Sequence, residues 1–223
     1  MVHCHLDKAS KLADLGAGTG ISARAFADQG CLVTAVEPND SMLNEAVAHE
    51  SYKKQISYVK ATAENSTLPD QTYDAVVCAQ AFHWFNPDLA LKEFQRILKP
   101  GGWVVLIWNE RDESDPFTRE YGDLLRTLPD TSFVEVPRGT AGQALLNSDM
   151  FTEKGKSDFQ NLQILDLDLF LGRAFSASYA PDPDSPDALM FEQKLRRVFD
   201  SFSAENQVTM KYICSVYTAR KTK

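Results

Sequence analysis

Two patterns of apolar positions alternate over the first half of the chain. Short continuous apolar runs (LVTAV at 32–36, YDAVVCA at 73–79 and WVVLIW at 103–108) read as strands buried on both faces. A strand beginning near residue 11 and ISYVKA at 56–61 extend the series. Segments with helical spacing lie between them. ISARAFADQ, about 20–29, ends at Gly30, a residue suited to the position just past a helix. A second helix, about 41–50, takes Asp40 or Ser41 as its cap. A third opens at Asn86-Pro87-Asp88, with Pro in its first turn and Ala90, Leu91, Phe94, Ile97 and Leu98 as its apolar stripe; Lys99-Pro100-Gly101-Gly102 ends it. Strand and helix alternating in this way build an α/β domain around a parallel sheet.

After Trp108 the alternation stops. A helix is expected at about 116–128, with Phe117, Tyr121, Leu124, Leu125 and Leu128 on one face. A less regular segment holding Pro137, Gly139 and Gly142 follows. FQNLQIL at 159–165 reads as a sixth strand, and Ser185-Pro186-Asp187 opens a last helix with the stripe Phe191, Leu195, Val198, Phe199 and Phe202. The final strand, about 207–219, has no crossover after it, so it is expected to enter the sheet antiparallel. The non-alternating parts, about 109–155 and 166–185, are read as lid insertions at the C-terminal ends of the strands, where open α/β sheets bind ligands.

The candidate chemistry starts at DLGAGTG, Asp14 to Gly20, with Glu37 closing the next strand. Strand, glycine loop, helix, strand and acidic residue make the first half of a nucleotide-binding βαβ unit. Gly16 and Gly18 have no Cβ, so the backbone can turn sharply and a ligand can lie against it. The helix that follows points its free N–H groups at the loop. Glu37 can accept hydrogen bonds from both hydroxyls of a ribose. A dinucleotide site would place glycine where Ile21 stands. Asp14 would repel a pyrophosphate but suits an ammonium or sulfonium ligand, and S-adenosylmethionine carries both cations.

DLGAGTG with Glu37, TAENSTLPDQTYDAVVCAQAFHWF at 62–85, LKPGGWVVLIWNERD at 98–112 and LGRAFSASYAP at 171–181 together resemble the class I S-adenosylmethionine-dependent methyltransferases. The similarity is to the type 11 small-molecule family, and most of all to its trans-aconitate methyltransferase-like branch. It implies a single 1–223 domain with a Rossmann-like, seven-stranded, mostly parallel sheet, helices on both faces and an inserted helical lid. It implies S-adenosylmethionine held by Asp14, Gly16, Ala17, Gly18, Glu37, Pro38, Met42, Ala63, Glu64 and Gln80, with the 62–64 segment at the adenine ring. Relatives of this branch carry about thirty more residues before the first strand, as a cofactor-covering helix, so that cover is expected to be missing. His83, at the tip of the fourth strand, is the candidate general base; otherwise it shapes the pocket. Trp84 is a candidate pocket wall. Arg111, Arg173 and Tyr179 are candidates for gripping a substrate carboxylate, since guanidinium groups bind carboxylates bidentately. The expected reaction is methylation of a small molecule with at least one carboxylate, at oxygen. A non-catalytic S-adenosylmethionine-binding module and an NAD-dependent oxidoreductase are the competing readings.

Composition adds limits. The 223 residues suit one domain, and a net charge of −8 argues against a general nucleic-acid or anionic-membrane surface. No apolar run approaches the roughly 20 residues of a membrane span, and the N-terminal residues lack the apolar core of a signal peptide. Cys4, Cys31, Cys78 and Cys214 form no C-x-x-C pair and read as reduced thiols, so a cytoplasmic enzyme is expected, monomer or homodimer. His3-Cys4-His5 has no second ligand cluster, and no metal is expected.

Overall fold

The computed structural model describes residues 4, 6–52, 54–128, 138–177, 180–182 and 184–222. The elements run β1 (Lys11–Leu15), α1 (Ile21–Asp28), β2 (Leu32–Val36), α2 (Asp40–Val47), β3 (Ile56–Val59), β4 (Tyr73–Ala79), α3 (Pro87–Ile97), β5 (Leu98–Arg111), α4 (Pro116–Leu125), α5 (Arg138–Asn147), β6 (Phe151–Leu165), α6 (Leu167–Phe175), α7 (Pro186–Phe202) and β7 (Val208–Lys221). One seven-stranded sheet has the order β3-β2-β1-β4-β5-β7-β6. The pairs β2–β3, β1–β2, β1–β4 and β4–β5 are parallel.

β7 runs the other way. Lys221 Nζ reaches the Leu98 carbonyl, Arg220 Nε the Gly101 carbonyl, and the Tyr217 ring meets Trp108, so numbering falls along β7 as it rises along β5. The same reversal holds against β6, where Thr152 meets Arg220 and Lys156 meets Tyr217. The sheet is therefore mixed: parallel from β3 through β5, with β7 antiparallel to its two neighbours. The physical reason is that β7 enters after α7 between two strands, with no crossover to make it parallel.

Local chemistry sets the helix ends. Asn39 caps α2 by accepting from the Met42 N–H, which moves the expected cap from Asp40 or Ser41 to the preceding residue. Asn86, Asp115, Asp166 and Ser185 cap α3, α4, α6 and α7 in the same way. Two elements were not expected. α5 lies in the segment read as irregular, and α6 lies in the second expected lid. β6 starts at Phe151, eight residues before the expected strand at 159–165.

The chain divides into two compact units. Unit 1 is Met1–Trp108, Pro137–Ser157 and Ser215–Lys223; unit 2 is Asn109–Val136 and Asp158–Cys214. The core of unit 1 gathers Leu15, Val76, Phe82, Phe94, Ile97, Leu106, Trp108 and Leu145 around the sheet. A second cluster joins α1 to β1 and β2 through Ala23, Ala27, Leu12, Val33 and Ala35. α5 packs against α3 and the Phe82–Trp84 turn. A Cβ on Gly142 would lie 2.6 Å from the Tyr217 ring, so the glycine allows that close approach. The expected 109–155 insertion is thus split, with α5 and the start of β6 inside unit 1. Unit 2 has its own core, in which Phe117, Tyr121, Phe170, Phe199 and the β7 residues Val208, Met210 and Tyr212 meet.

Candidate functional site

The glycine loop leaves β1 and enters α1 in unit 1. Gly16, Gly18 and Gly20 all have positive φ, at 74°, 56° and 80°, which only glycine adopts without strain. The three glycines do different things. A Cβ on Gly16 would lie 2.6 Å from Ala81 Cβ and 2.9 Å from Phe85 Cζ, so this position is closed by the β4–α3 loop. A Cβ on Gly18 would meet only Met42 Sδ, at 4.0 Å, so its outer side is open to a ligand. The backbone N–H groups of Gly16 and Ala17 both donate to the Val36 carbonyl, which fixes the loop on β2. Arg24 adds a clamp from Nη1 to the Thr19 carbonyl at 2.8 Å.

Two carboxylates flank the loop. Glu37 is 7 % exposed, and its oxygens accept the Gly18 N–H and the Asn39 N–H, each at 2.9 Å. Those bonds hold it rigidly while the remaining lone pairs can accept from two hydroxyls. Asp14 is fully buried; its Oδ2 accepts the Ser22 hydroxyl at 2.6 Å, and its Oδ1 is a buried atom with no partner among the described residues. Burial pushes the Asp14 carboxyl up to about 6, against the bonds from Ser22 and the Ala23 backbone, and the Glu37 charge adds to the rise. An unpaired buried carboxylate oxygen is costly, and a cationic group placed against it would offset that cost. This donor set therefore fits the ammonium and ribose of S-adenosylmethionine.

The other expected cofactor residues lie in the same unit. Pro38 is exposed just after Glu37, and Met42 is an exposed α2 residue beside Gly18. Ala63 is buried in a tight turn closed by a Thr62–Asn65 bridge. Glu64 Oε1 accepts the Asn86 N–H at 2.9 Å, which ties this turn to the start of α3. Gln80 is exposed at the end of β4 with φ +58°, a left-handed backbone on a non-glycine residue, pinned by its N–H to the Ile107 carbonyl. Such strain persists where the surroundings fix it, and it clusters at functional sites.

His83 and Trp84 sit in the 3₁₀ turn after Gln80. Their rings lie 4.9 Å apart; His83 is half-buried and Trp84 is exposed. The Trp108 indole N–H donates to His83 Nδ1 at 3.3 Å. Arg111 and Arg173 belong to unit 2. Arg111 has a side chain 17 % exposed, with Glu113 3.8 Å away, and its Nε is buried without a hydrogen bond. Arg173 is exposed on α6. Tyr179 lies outside the described residues.

Three contributors are new. Ser22 holds Asp14, Asn39 holds Glu37, and Trp108 holds His83. The first two follow from loop geometry that residue spacing does not encode. The third is readable from strand register: Ala79 pairs with Ile107, so the next residue on β5, Trp108, stands opposite the emerging loop.

A glycine loop, an acidic strand tip and a seven-stranded mixed sheet of this order are the features of the class I methyltransferase fold. Residues 13–106 match the family model of a methyltransferase domain, type 11. An uncharacterized methyltransferase of Mycobacterium tuberculosis is 39 % identical over 117 residues, 52 % of this chain and 47 % of the relative. The chain spans about half the length of the curated relatives it matches. A solved structure from Anaeromyxobacter dehalogenans, named as a candidate type II methyltransferase, superposes with TM-score 0.66 at 22 % identity, covering 94 % of this chain and 89 % of that one. The geranyl diphosphate C-methyltransferase of Streptomyces coelicolor, solved with Mg²⁺, geranyl diphosphate and S-adenosylhomocysteine, superposes at 0.54 and 13 % identity, covering 100 % and 76 %. Likeness at these identities concerns the fold.

Among the described residues no group of three or more His, Cys, Asp or Glu could hold a metal ion, and no helix is long and apolar enough to cross a membrane.

Proposed function

We infer that this protein binds S-adenosylmethionine and methylates a small molecule carrying at least one carboxylate, at oxygen, as a member of the trans-aconitate methyltransferase-like branch. The observation that carries the cofactor reading is the buried Asp14 with its unpartnered Oδ1, close in sequence to the open face of Gly18 and to the Glu37 carboxylate that Gly18 itself fixes. Bound there, S-adenosylmethionine supplies a methyl group on a sulfonium centre. Asp14 receives the ammonium and Glu37 the ribose hydroxyls. Met42, Ala63, Glu64 and Gln80 line the rest of the cofactor. An NAD-dependent oxidoreductase is disfavoured, because the same Asp14 would face a pyrophosphate.

The carboxylate part rests on Arg111, a largely buried guanidinium whose Nε faces Glu113 Oε1 at 3.8 Å without a hydrogen bond, so that a substrate carboxylate would compete with Glu113 for it. Net charge −8 supports a small molecule over a nucleic acid. The test is calorimetric titration with S-adenosylmethionine and with NAD. Micromolar-class binding of the first and none of the second is expected. Glu37→Ala should weaken it by about 1–3 kcal/mol, the usual cost of losing a charged hydrogen-bond partner. Unchanged affinity in that variant removes the ribose assignment, and turnover on a panel of small acids separates an enzyme from a binding module.

A further inference from the structure

We propose that a groove at the N-terminal ends of β1 to β4, opposite the glycine loop, is a second ligand site that takes the phosphate of a small phosphomonoester. The proposal does not depend on the methyltransferase reading. Lys11, Leu32, Ile56 and Tyr73 are the first residues of their four strands, whereas the glycine loop follows Leu15 at the far end of β1. The two ends of β1 lie about 13 Å apart at the usual rise of a strand. The groove has a volume of about 310 Å³, and its described lining belongs wholly to unit 1. Lys11 and Lys54 both line it, and both are exposed. Lys11 opens β1 and Lys54 comes just before β3, so the two cations flank β2 from either side. No carboxylate is among the described lining residues. Asp70 and Asp74, the acidic residues next to Thr72 and Tyr73, pair with Arg96 and Lys99 instead. Two ammonium groups on one groove repel each other, and an anion between them removes that repulsion.

On the strand between the lysines, Thr34 gathers a trio of hydroxyls. Those of Ser57 and Tyr73 each donate to Thr34 Oγ1 at 3.1 Å. Three O–H groups thus share two hydrogen bonds, and the Thr34 proton is left to donate. Tyr73 is 6 % exposed, which sets the trio on a rigid base. Two point-charge cations and a hydroxyl, arriving from different strands, suit a tetrahedral phosphate whose oxygens accept separately. A planar carboxylate is better matched by a guanidinium fork. Leu32 is 41 % exposed on the same groove and gives it an apolar wall. Such a wall favours an organic body attached to the phosphate and adds nothing for inorganic phosphate. The net charge of −8 opposes anions at long range. Salt screens that field within about 8–10 Å, so the two local lysines decide.

The test is calorimetric titration of the full chain at low salt with phenyl phosphate, inorganic phosphate and benzoate. Phenyl phosphate should bind with a Kd of about 1 mM or below. Inorganic phosphate should bind about threefold weaker or worse, and benzoate about tenfold weaker or worse. Lys11→Gln and Lys54→Gln should each weaken phenyl phosphate by about fivefold or more. Both side chains are exposed, and the Lys11 backbone N–H keeps its bond to Asp74, so both variants should fold as the parent does. Leu32→Gln should bring phenyl phosphate down to the affinity of inorganic phosphate and leave the latter unchanged. Saturating S-adenosylhomocysteine should alter none of these affinities. Absence of phosphate binding, or binding that survives in the double lysine variant, overturns the site. Equal affinity for the two phosphates overturns the organic ligand, and benzoate binding as tightly as phenyl phosphate overturns the preference for phosphate. Displacement of phenyl phosphate by S-adenosylhomocysteine would put the anion at the glycine loop and overturn the second site. Failure of S-adenosylhomocysteine to bind at all counts against the cofactor assignment and leaves the groove standing.

Discussion

At the scale of single residues, the site concentrates its cost on Asp14. Its carboxyl, raised to about 6 by burial, takes up a proton in the folded state between its unfolded value of 3.8 and 6. The stability it contributes is therefore fully present below about pH 4 and is lost as pH rises through 6. Asp14→Asn should remove that dependence and stabilise the ligand-free protein at pH 8 by on the order of 1–3 kcal/mol, measured as a higher Tm. The same change should weaken S-adenosylmethionine binding. Parent affinity should hold above pH 7 and fall by up to tenfold per pH unit below 6, because a cation prefers the ionised carboxylate. A pH-independent affinity from 5 to 8 would show that Asp14 does not face the ammonium. The two loop glycines should also part company. Gly18→Val should lower stability by about 1–2 kcal/mol through its positive φ, stay folded and no longer bind the cofactor. Gly16→Val unfolds or lowers Tm by several degrees, since its side chain would enter Ala81 and Phe85. From the sequence alone both glycines read as ligand-facing. The difference arises because Ala81 and Phe85 are some sixty-five residues away, and no spacing rule reports which loop will close on which glycine.

At the scale of elements, what was legible follows periodicity and capping. β4 follows its apolar run and α3 starts at Asn86-Pro87, but α3 ends at Ile97, and Leu98 to Gly102, read as helix end and stop, open a β5 longer than the expected 103–108. The apolar pattern does not mark α5, because its glycines and the preceding proline are breakers by propensity, while its placement comes from packing: Leu145 is fully buried and Gly142 lies against Tyr217. The first half of β6 carries no apolar signal, because residues 152–158 are polar and almost all exposed, as an edge strand allows. The least legible element feature is the end of β4. Nothing in AQAF announces that Gln80 takes φ +58°, yet this turn aims His83 and Trp84. Gln80→Gly should keep or slightly raise Tm, by up to about 1 kcal/mol of relieved strain. Gln80→Val should lower stability by about 1–2 kcal/mol or more, since β-branched residues resist that region. Equal Tm values for the two variants would show that the backbone there relaxes freely.

At the scale of the whole molecule, the expected functions separate by unit. Every described cofactor candidate, from Asp14 to Gln80, lies in unit 1, and so does His83; Arg111 and Arg173 lie in unit 2. Unit 2 has a core of its own, so changes to its polar side chains should leave the glycine loop undisturbed. The two guanidinium groups also differ in kind. Arg111 is largely buried with an unsatisfied Nε, whereas Arg173 is exposed and can exchange its contacts with water. A buried, hydrogen-bonded charge contributes more to recognition than a solvated one. Arg111→Ala should therefore raise KM for an acidic substrate by tenfold or more, on the order of 1.4–3 kcal/mol for a lost charge-assisted contact. Its affinity for S-adenosylmethionine should match the parent. Arg173→Ala should produce a smaller rise in KM, within about threefold. Steady-state kinetics on the best substrate of an acid panel, paired with cofactor titration of each variant, reads both effects. Loss of cofactor affinity in Arg111→Ala would show that the substitution acts on more than substrate recognition. An unchanged KM there, with cofactor binding intact, would leave the carboxylate without its proposed partner and reopen the substrate class to neutral acceptors.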